Sequence, residues 1–445
     1  MKKLLITSLL LANILSVCSC SDNNTSYDEL AETTTAAEAT ADPATKEKKV
    51  YDYVHGEDGY YNIADEMAEF EMKSQKYGTC WLYAAAASME TAYFKKNGRY
   101  ISIAPMHLLD LIYLEEKEDG IILNDGIDAK EIGGFQWTVT ERLSRGVDKL
   151  TLDRSVVLDI NDREAIKENV RTRGGVAVGV FDKDDDKKGW FGTYRTINYK
   201  NDKDFDHDVT IIGYDDHFPK EYFKEPASED GAWITYNSNS GPAGFYYISY
   251  CSPLNSAYSH SVTDKYGEVL SYDAGNVRYE ADKLSYTAGS FSYDAHDLQG
   301  RYIKTDDWTT TANVFHMSGK LAAVGTYNDF DRQNIKIQIY DSSFTNVLYS
   351  QDAVLDYHGY HTIDLDTPID VSDFAVVVSY EKGAPVEGES LFHDLLGGYR
   401  TVSDSGQSFV LLDDEWKDMT DSDIKKALDI DFEPNNCCIK ALFAK

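Results

Sequence analysis

Gln75-Lys76-Tyr77-Gly78-Thr79-Cys80-Trp81, running into Leu82-Tyr83-Ala84-Ala85-Ala86-Ala87-Ser88-Met89-Glu90, is the stretch on which the reading of this chain turns. A lone cysteine follows a glycine-bearing turn and opens an alanine-rich helix that ends at Asn97-Gly98. Thr79 is of a type that caps helix N-termini, which places Cys80 in the first turn, at the positive end of the helix dipole. That location lowers a thiol's pKa and favours the nucleophilic thiolate. The run Ala84 to Ala87 keeps the helix slim, so it can pack deep inside a domain. Taken alone, a cysteine among apolar residues is most often a small buried hydrophobe. Here its neighbours and two distant partners argue for chemistry.

The chain has 445 residues, enough for two or three domains with cores of their own. It carries 43 basic and 76 acidic residues, a formal net charge of −33. That balance excludes nucleic acid as a partner, which needs a basic face, and argues against adsorption to anionic lipid. At the N-terminus Lys2-Lys3, the short apolar run Leu4 to Val17, and small residues to Ser21 form an export signal. Val17-Cys18-Ser19-Cys20 resembles a bacterial lipoprotein signal, with Cys20 as the lipidated residue and Cys18 as the fallback. The expected address is the extracellular face of the membrane, or secretion. Beyond the signal lie Cys80, Cys251, Cys437 and Cys438, too few for a disulfide framework in so long a chain. The fold therefore rests on its cores.

Residues 1–20 read as signal, and 21–49 as a disordered tether rich in Thr, Ala, Ser and Glu. The tether has no helical periodicity, so no helical inhibitory segment is expected there. Tyr51 to Phe70 is expected on the domain surface. A first globular unit, 50–262, mixes helices and strands. After the Cys80 helix, Ser102 is expected to cap a second helix running to Leu114. Helices follow at Trp137 to Leu143 and at Asn161 to Arg171. Strands then dominate: Val176 to Val180, Val209 to Tyr214, Ala232 to Tyr236 and Phe245 to Tyr250. Helices first and antiparallel strands later make an α+β unit of two lobes. In 263–445 short alternating runs such as Leu321 to Tyr327, Ile335 to Tyr340, His361 to Leu365 and Phe374 to Tyr380 are the pattern of a β-sandwich.

A cysteine nucleophile needs a base to ionise it and a third group to orient that base. His207 leads into the Val209–Tyr214 strand, and Asn237 ends the Ala232–Tyr236 strand. With these residues in view, 72–252 resembles the papain family of cysteine peptidases. Gln75 with Gly78-Thr79-Cys80-Trp81 resembles the segment that carries the oxyanion-hole glutamine and the nucleophile. Gly133-Gly134 resembles the paired glycines that line the substrate cleft. Asp206-His207-Asp208-Val209-Thr210 resembles the catalytic-histidine strand, and Asn237-Ser238 the asparagine motif. The resemblance implies a Cys80–His207–Asn237 mechanism with Gln75 as oxyanion donor, and Gly133, Gly134, Trp81 and Asp206 at the substrate. Ala312-Asn313-Val314-Phe315, Tyr360 to Leu365 and Cys438 to Ala441 resemble the lectin-like β-domain that follows such enzymes on bacterial surfaces. The implied fold is α+β: a two-lobed papain-like peptidase domain, then an all-β sandwich.

The sequence departs from that pattern in places. Four residues separate Gln75 from Cys80, one fewer than in papain, which leaves the glutamine's aim open. Tyr77 stands where many relatives have a disulfide cysteine. Asn239-Ser240 replace the usual Trp-Gly, so the His207–Asn237 pair is expected to be more solvated, unless another aromatic covers it. Asp204, Asp206 and Asp208 either favour the charged imidazole or form an acidic surface loop. Asp182, Asp184 and Asp186 alternate like a calcium loop, but Lys187 occupies the glycine position. His107 and His217 lack ligand-spaced partners. No metal or cofactor is expected. The partners expected are peptide or protein substrates, a glycan or protein ligand for the β-domain, and the membrane through the lipid alone. The reading is a surface-anchored cysteine endopeptidase; the alternative is an inactive peptidase fold that presents an adhesive module.

Overall fold

The computed structural model describes residues 53–445, apart from 69, 114–127, 132, 147–148, 183–187, 192–193, 201–204, 240–243, 273–276, 279–288, 291–301, 306–307, 391–399, 402–403 and 431–433. Both lipidation candidates, the tether, Leu114, Asp184, Asp186 and Asp204 lie outside the described residues.

Helix α1 spans Cys80–Asn97, and every residue from Cys80 to Tyr93 is buried. A helix enclosed on all sides has no polar face to keep, and the four alanines let strands approach it closely. It ends at Gly98, whose φ of 67° suits glycine and whose N–H donates to the Phe94 carbonyl at 2.7 Å. Its start differs from expectation. The Thr79 hydroxyl makes no capping bond, and it is the Thr79 carbonyl that accepts, from Leu82 N–H at 3.0 Å. Helix α2 spans Pro105–Ile112 with Ala104 before it. Proline at the first position lacks the N–H a cap would serve, and Ser102 donates to Glu71 instead at 2.8 Å. Helix α3 is Gln136–Ser144, and α4 is Arg163–Thr172, capped by the Asp162 carboxylate at 2.9 Å from Ala165 N.

The strands of the first unit are β1 (Tyr60–Asn62), β2 (Thr151–Val157), β3 (Val176–Val180), β4 (Lys188–Phe191), β5 (Tyr194–Ile197), β6 (His207–Asp215), β7 (Ala232–Asn237), β8 (Gly244–Ser249) and β9 (Asn255–Thr263). The segment around Tyr60 is no surface strap. β1 pairs antiparallel with the far end of β6, and Ile63 behind it is fully buried. Among the described residues β2, β9, β3, β6, β7, β8, β5 and β4 are neighbours in that order. The same sheet continues on the β2 side through His358–Val371, Gly319–Asn328, Ile439–Ala444 and β10 (Tyr266–Ser271). The seam is the pairing of His358–His361 with Val157–Arg154. Gly359 there has φ 114°, and a Cβ would stand 2.2 Å from the Ser155 carbonyl oxygen. Only glycine permits that approach.

A second sheet of six strands, Val347–Asp356, Arg332–Asp341, Phe374–Tyr380, Thr309–Phe315, Ser408–Leu412 and Glu415–Asp418, packs against this end of the first. Ile335, Ile337, Ile339, Val376 and Val378 alternate inward from it to meet Leu321, Val324, Ile439 and Phe443. Period-two alternation over one shared apolar layer is what makes this half a β-sandwich.

Candidate active site

Strand β6 leaves its loop at His207, and β7 runs antiparallel beside it, with Thr210 opposite Tyr236. Its last residue, Asn237, therefore comes level with the start of β6. His207 Nε2 lies 2.8 Å from Asn237 Oδ1. The same oxygen accepts the backbone N–H of Asn239 at 2.8 Å. A backbone N–H can only donate, so the atom it meets is the amide oxygen, and His207 must carry its hydrogen on Nε2. That leaves Nδ1 as the nitrogen able to exchange a proton with a neighbour.

Helix α1 brings Cys80 to the same place. The Thr210 hydroxyl donates to the Ala84 carbonyl at 3.0 Å, which lays the first turn of α1 along the start of β6. Gln136, at the head of α3, ties the two more closely. Its Nε2 donates to the carbonyl of Trp81 at 3.0 Å and to Asp208 Oδ2 at 2.8 Å, the residues that follow Cys80 and His207. Its Oε1 accepts from His260 Nε2 at 2.9 Å. His260 is fully buried, and burial pushes its imidazole down to about 3, so it stands neutral and donates from Nε2. Its Nδ1 accepts from the Ser155 hydroxyl at 2.9 Å.

Gln75 reaches the site from the other side. Its N–H donates to the Ser238 carbonyl at 2.8 Å, and its Oε1 accepts the Ser238 hydroxyl at 2.7 Å. Its Nε2 donates to the Tyr77 carbonyl at 2.9 Å, which uses one of two amide hydrogens. The short Gln75–Cys80 spacing is thus met by tying the glutamine to the residue after Asn237. Gly133 has φ 74°, and a Cβ on Gly134 would stand 2.3 Å from the Trp81 ring. Trp81 is fully buried and meets Tyr113 edge-on, so its indole supports the glycines from below and is not open to a ligand. Asp206 is 6 % exposed and accepts the Asp182 N–H at 2.8 Å; it too faces inward.

The loss of the indole does not leave the histidine wet. His207 is 1 % exposed and Asn237 is 0 %, against the expectation of a solvated pair. Asn239, in the place of the tryptophan, holds its own backbone N–H on Asn237 and donates Nδ2 to Asp182 at 3.1 Å. Asp206 and Asp208 are buried acceptors, not an acidic surface loop. Sequence reasoning missed Gln136 and His260, and it gave Ser238 and Asn239 no bonding role. Their partners include residues up to 172 positions away, as Ser88 lies from His260, and no local spacing signals them. No group of three or more metal-ligating side chains occurs among the described residues.

The arrangement joins a thiol at a helix N-terminus, an imidazole of fixed tautomer, an orienting amide and a second amide nearby. This is the set that acyl transfer by a thiolate requires. Residues 65–250 match the family model of papain family cysteine proteases, and residues 291–443 that of the Lectin like domain. Cathepsin S of Bos taurus is 26% identical over 168 residues, 33% of this chain and 48% of its own length. Cathepsin S of Mus musculus is 26% identical over 190 residues, 38% of this chain and 51% of its own. The chain thus spans about half the length of the curated relatives it matches. A structure of the clostridial cysteine protease Cwp84 after propeptide cleavage has TM-score 0.61 at 18% identity, covering 86% of this chain and 98% of that one. Another, of the cysteine protease and lectin-like domains of Cwp84, a surface layer associated protein of Clostridium difficile, has TM-score 0.62 at 17% identity, covering 87% and 89%. At such identity the likeness is one of fold, and it extends over both halves.

Proposed function

Because this chain carries a papain family cysteine protease domain followed by a lectin-like domain, we propose that it is a cysteine endopeptidase working through Cys80, His207 and Asn237. The observation that supports this reading is the bond from His207 Nε2 to Asn237 Oδ1, which assigns proton exchange with the thiol to Nδ1. The Cys80 thiolate, favoured at the N-terminus of α1, attacks the scissile carbonyl carbon. The second amide hydrogen of Gln75 and the Cys80 N–H receive the oxyanion. Protonated His207 then gives its proton to the leaving amine, and a thioester remains on Sγ. Water, deprotonated by Nδ1, hydrolyses the thioester and returns the thiol. Cys80 is fully buried, so the cleft must open over it before a peptide can reach the sulfur. Gly133 and Gly134 would let an extended peptide backbone lie close.

Hydrolysis of an unstructured peptide substrate by the purified chain tests the proposal. Cys80→Ala is expected to abolish turnover; full activity in that variant sinks it. Anchorage through a lipid on Cys20 at the extracellular face is part of the same reading, and Cys20→Ala would then move the protein from the membrane to the soluble fraction. A second role, adhesion, is favoured by one observation. A groove of about 670 Å³ on the outer face of the six-stranded sheet is lined by Trp308, Asn334, Lys336, Gln338, Asp352 and Ser379 among others. Trp308 is 45 % exposed there, an aromatic face beside amides and hydroxyls that suits a glycan or protein ligand. If Trp308→Ala leaves retention on cell-wall material unchanged, that role is wrong.

A further inference from the structure

Asn239 stands where the resemblance expects an apolar indole, yet the residues around it are buried and its bonds close a circuit. His207 donates Nε2–H to Asn237 Oδ1 at 2.8 Å. That oxygen also takes the Asn239 N–H at 2.8 Å. The Asn239 side chain donates Nδ2–H to Asp182 Oδ2 at 3.1 Å. The Asp182 N–H in turn donates to Asp206 Oδ1 at 2.8 Å. Asp206 is bonded covalently to His207, so the circuit returns to its start. We propose that Asn239 and Asp182 are positioning residues that hold the His207 imidazole through this closed ring and replace the missing indole.

An indole over a His–Asn pair excludes water from their bond by covering it, without fixing the donor's direction. The ring fixes direction instead. Asn237 has two possible amide orientations, and only the one with Oδ1 toward His207 gives the right tautomer. The Asn239 N–H selects that orientation, but only while the backbone at Asn239 stays in place. The Asn239 side chain is the tether, because a donor to a carboxylate makes a stronger bond than one between neutral groups. Asp182 and Asp206 are each 6 % exposed, so the acceptor end of the tether is held away from water, while Asn239 itself is partly exposed. In this proposal Asn239 and Asp182 act on the reaction through the orientation of His207.

This inference rests on the reading of Cys80 and His207 as the reacting pair, and the experiment separates the two. Asn239→Asp sets a carboxylate against the Asp182 carboxylate, with no change of size. Asp182→Asn keeps an acceptor oxygen for the Asn239 amide. The double variant Asn239→Asp with Asp182→Asn restores an amide–carboxylate pair with donor and acceptor exchanged. Steady-state kinetics are compared with thermal unfolding for the unmodified protein and all three variants. In Asn239→Asp kcat is expected to fall about tenfold or more with KM changed less than about twofold, because the interaction serves the proton transfer and not binding. In Asp182→Asn the loss is expected to stay within about threefold, and the exchange variant should recover to within about threefold of the unmodified protein. A purely structural role would lower the unfolding temperature and leave kcat of the folded fraction alone. If Asn239→Asp keeps its kcat, or if the exchanged pair folds but stays as slow as Asn239→Asp, the ring does not position His207. Should Asn239→Asp fail to fold, recovery of both folding and kcat in the exchange variant still supports the ring, and a folded but slow exchange variant overturns it. If the unmodified protein has no turnover and Cys80 has no enhanced reactivity, it is the peptidase reading that has failed.

Discussion

Each polar side chain at the site holds its place through a partner far away in sequence, and small changes there should have readable effects. The Ser238 hydroxyl is the donor to Gln75 Oε1, and it orients the amide whose second hydrogen is assigned to the oxyanion. Losing an oxyanion donor outright costs roughly 10²–10³ in turnover. Ser238→Ala leaves the donor present but loosely aimed, so kcat is expected to fall about tenfold, less than for Gln75→Ala, with KM nearly unchanged. Steady-state kinetics on one peptide would rank the two; a larger loss for Ser238→Ala would contradict the assignment. As candidates, Cys80, His207, Asn237 and Gln75 were legible in the sequence because each residue type is dictated by its proposed chemistry and sits beside a recognisable strand or helix edge. Ser238, Asn239 and Gln136 were not. Serine, asparagine and glutamine are ordinary in loops and caps, and only the folded chain brings them their partners, as Gln136 meets Trp81, Asp208 and His260.

At the scale of elements, α1 is the post around which the first unit is built, and Glu90 is its one buried charge between Cys80 and Tyr93. The carboxylate of Glu90 pairs with Lys73 and accepts the Ile103 N–H at 2.6 Å. Burial pushes the Glu90 carboxyl up, while Lys73 and the Ile103 N–H pull it down. Lys73 also donates to the Ile103 carbonyl at 2.8 Å, so one ion pair fastens both the run-in to Gln75 and the approach to α2. Breaking a buried pair by removing one partner typically costs about 3–5 kcal/mol. Glu90→Ala should therefore destabilise by about 3 kcal/mol, read by denaturant unfolding, whereas a surface pair such as Lys265–Asp364 should contribute at most about 1 kcal/mol. The helix itself was legible from the alanine run and the Gly98 stop. Its partner Lys73 was not, because a lysine 17 residues before a glutamate has no local reason to meet it. β1 was hidden too: three residues, Tyr60 to Asn62, are too few for an alternating pattern, and they form a strand against the end of β6 that β3 does not reach.

Across the whole molecule, the shared sheet makes the β-sandwich a continuation of the first unit, joined where Gly359 meets Ser155. Two buried histidines lie near this join. Burial pushes His260 down to about 3 and His361 down to about 4, the latter also beside the Arg154 and Arg173 charges. Both stay neutral in the folded chain, while the unfolded chain takes up a proton on each below about pH 6.5. The unfolded state then binds more protons, so stability falls as the pH drops from about 6.5 toward 4, by at most about 1.4 kcal/mol per unit for each histidine. A fall of the unfolding temperature over that window is expected. It should be shallower in His260→Gln, where the side chain cannot take up the proton. An equal slope in that variant would remove His260 from the account.

The central claim is that the buried Cys80 thiol is activated by His207. Cys251 provides an internal contrast, since its thiol is partly exposed whereas Cys80 is buried. Mere access would favour labelling of Cys251. The most direct measurement is labelling of the native protein by an epoxide or vinyl-sulfone peptide probe, with the modified residue found by peptide mapping. The account predicts that Cys80 takes the probe first, and that His207→Ala slows its labelling to the rate of an ordinary protonated thiol. Labelling of Cys251 ahead of Cys80, or a Cys80 rate unchanged by His207→Ala, would contradict it.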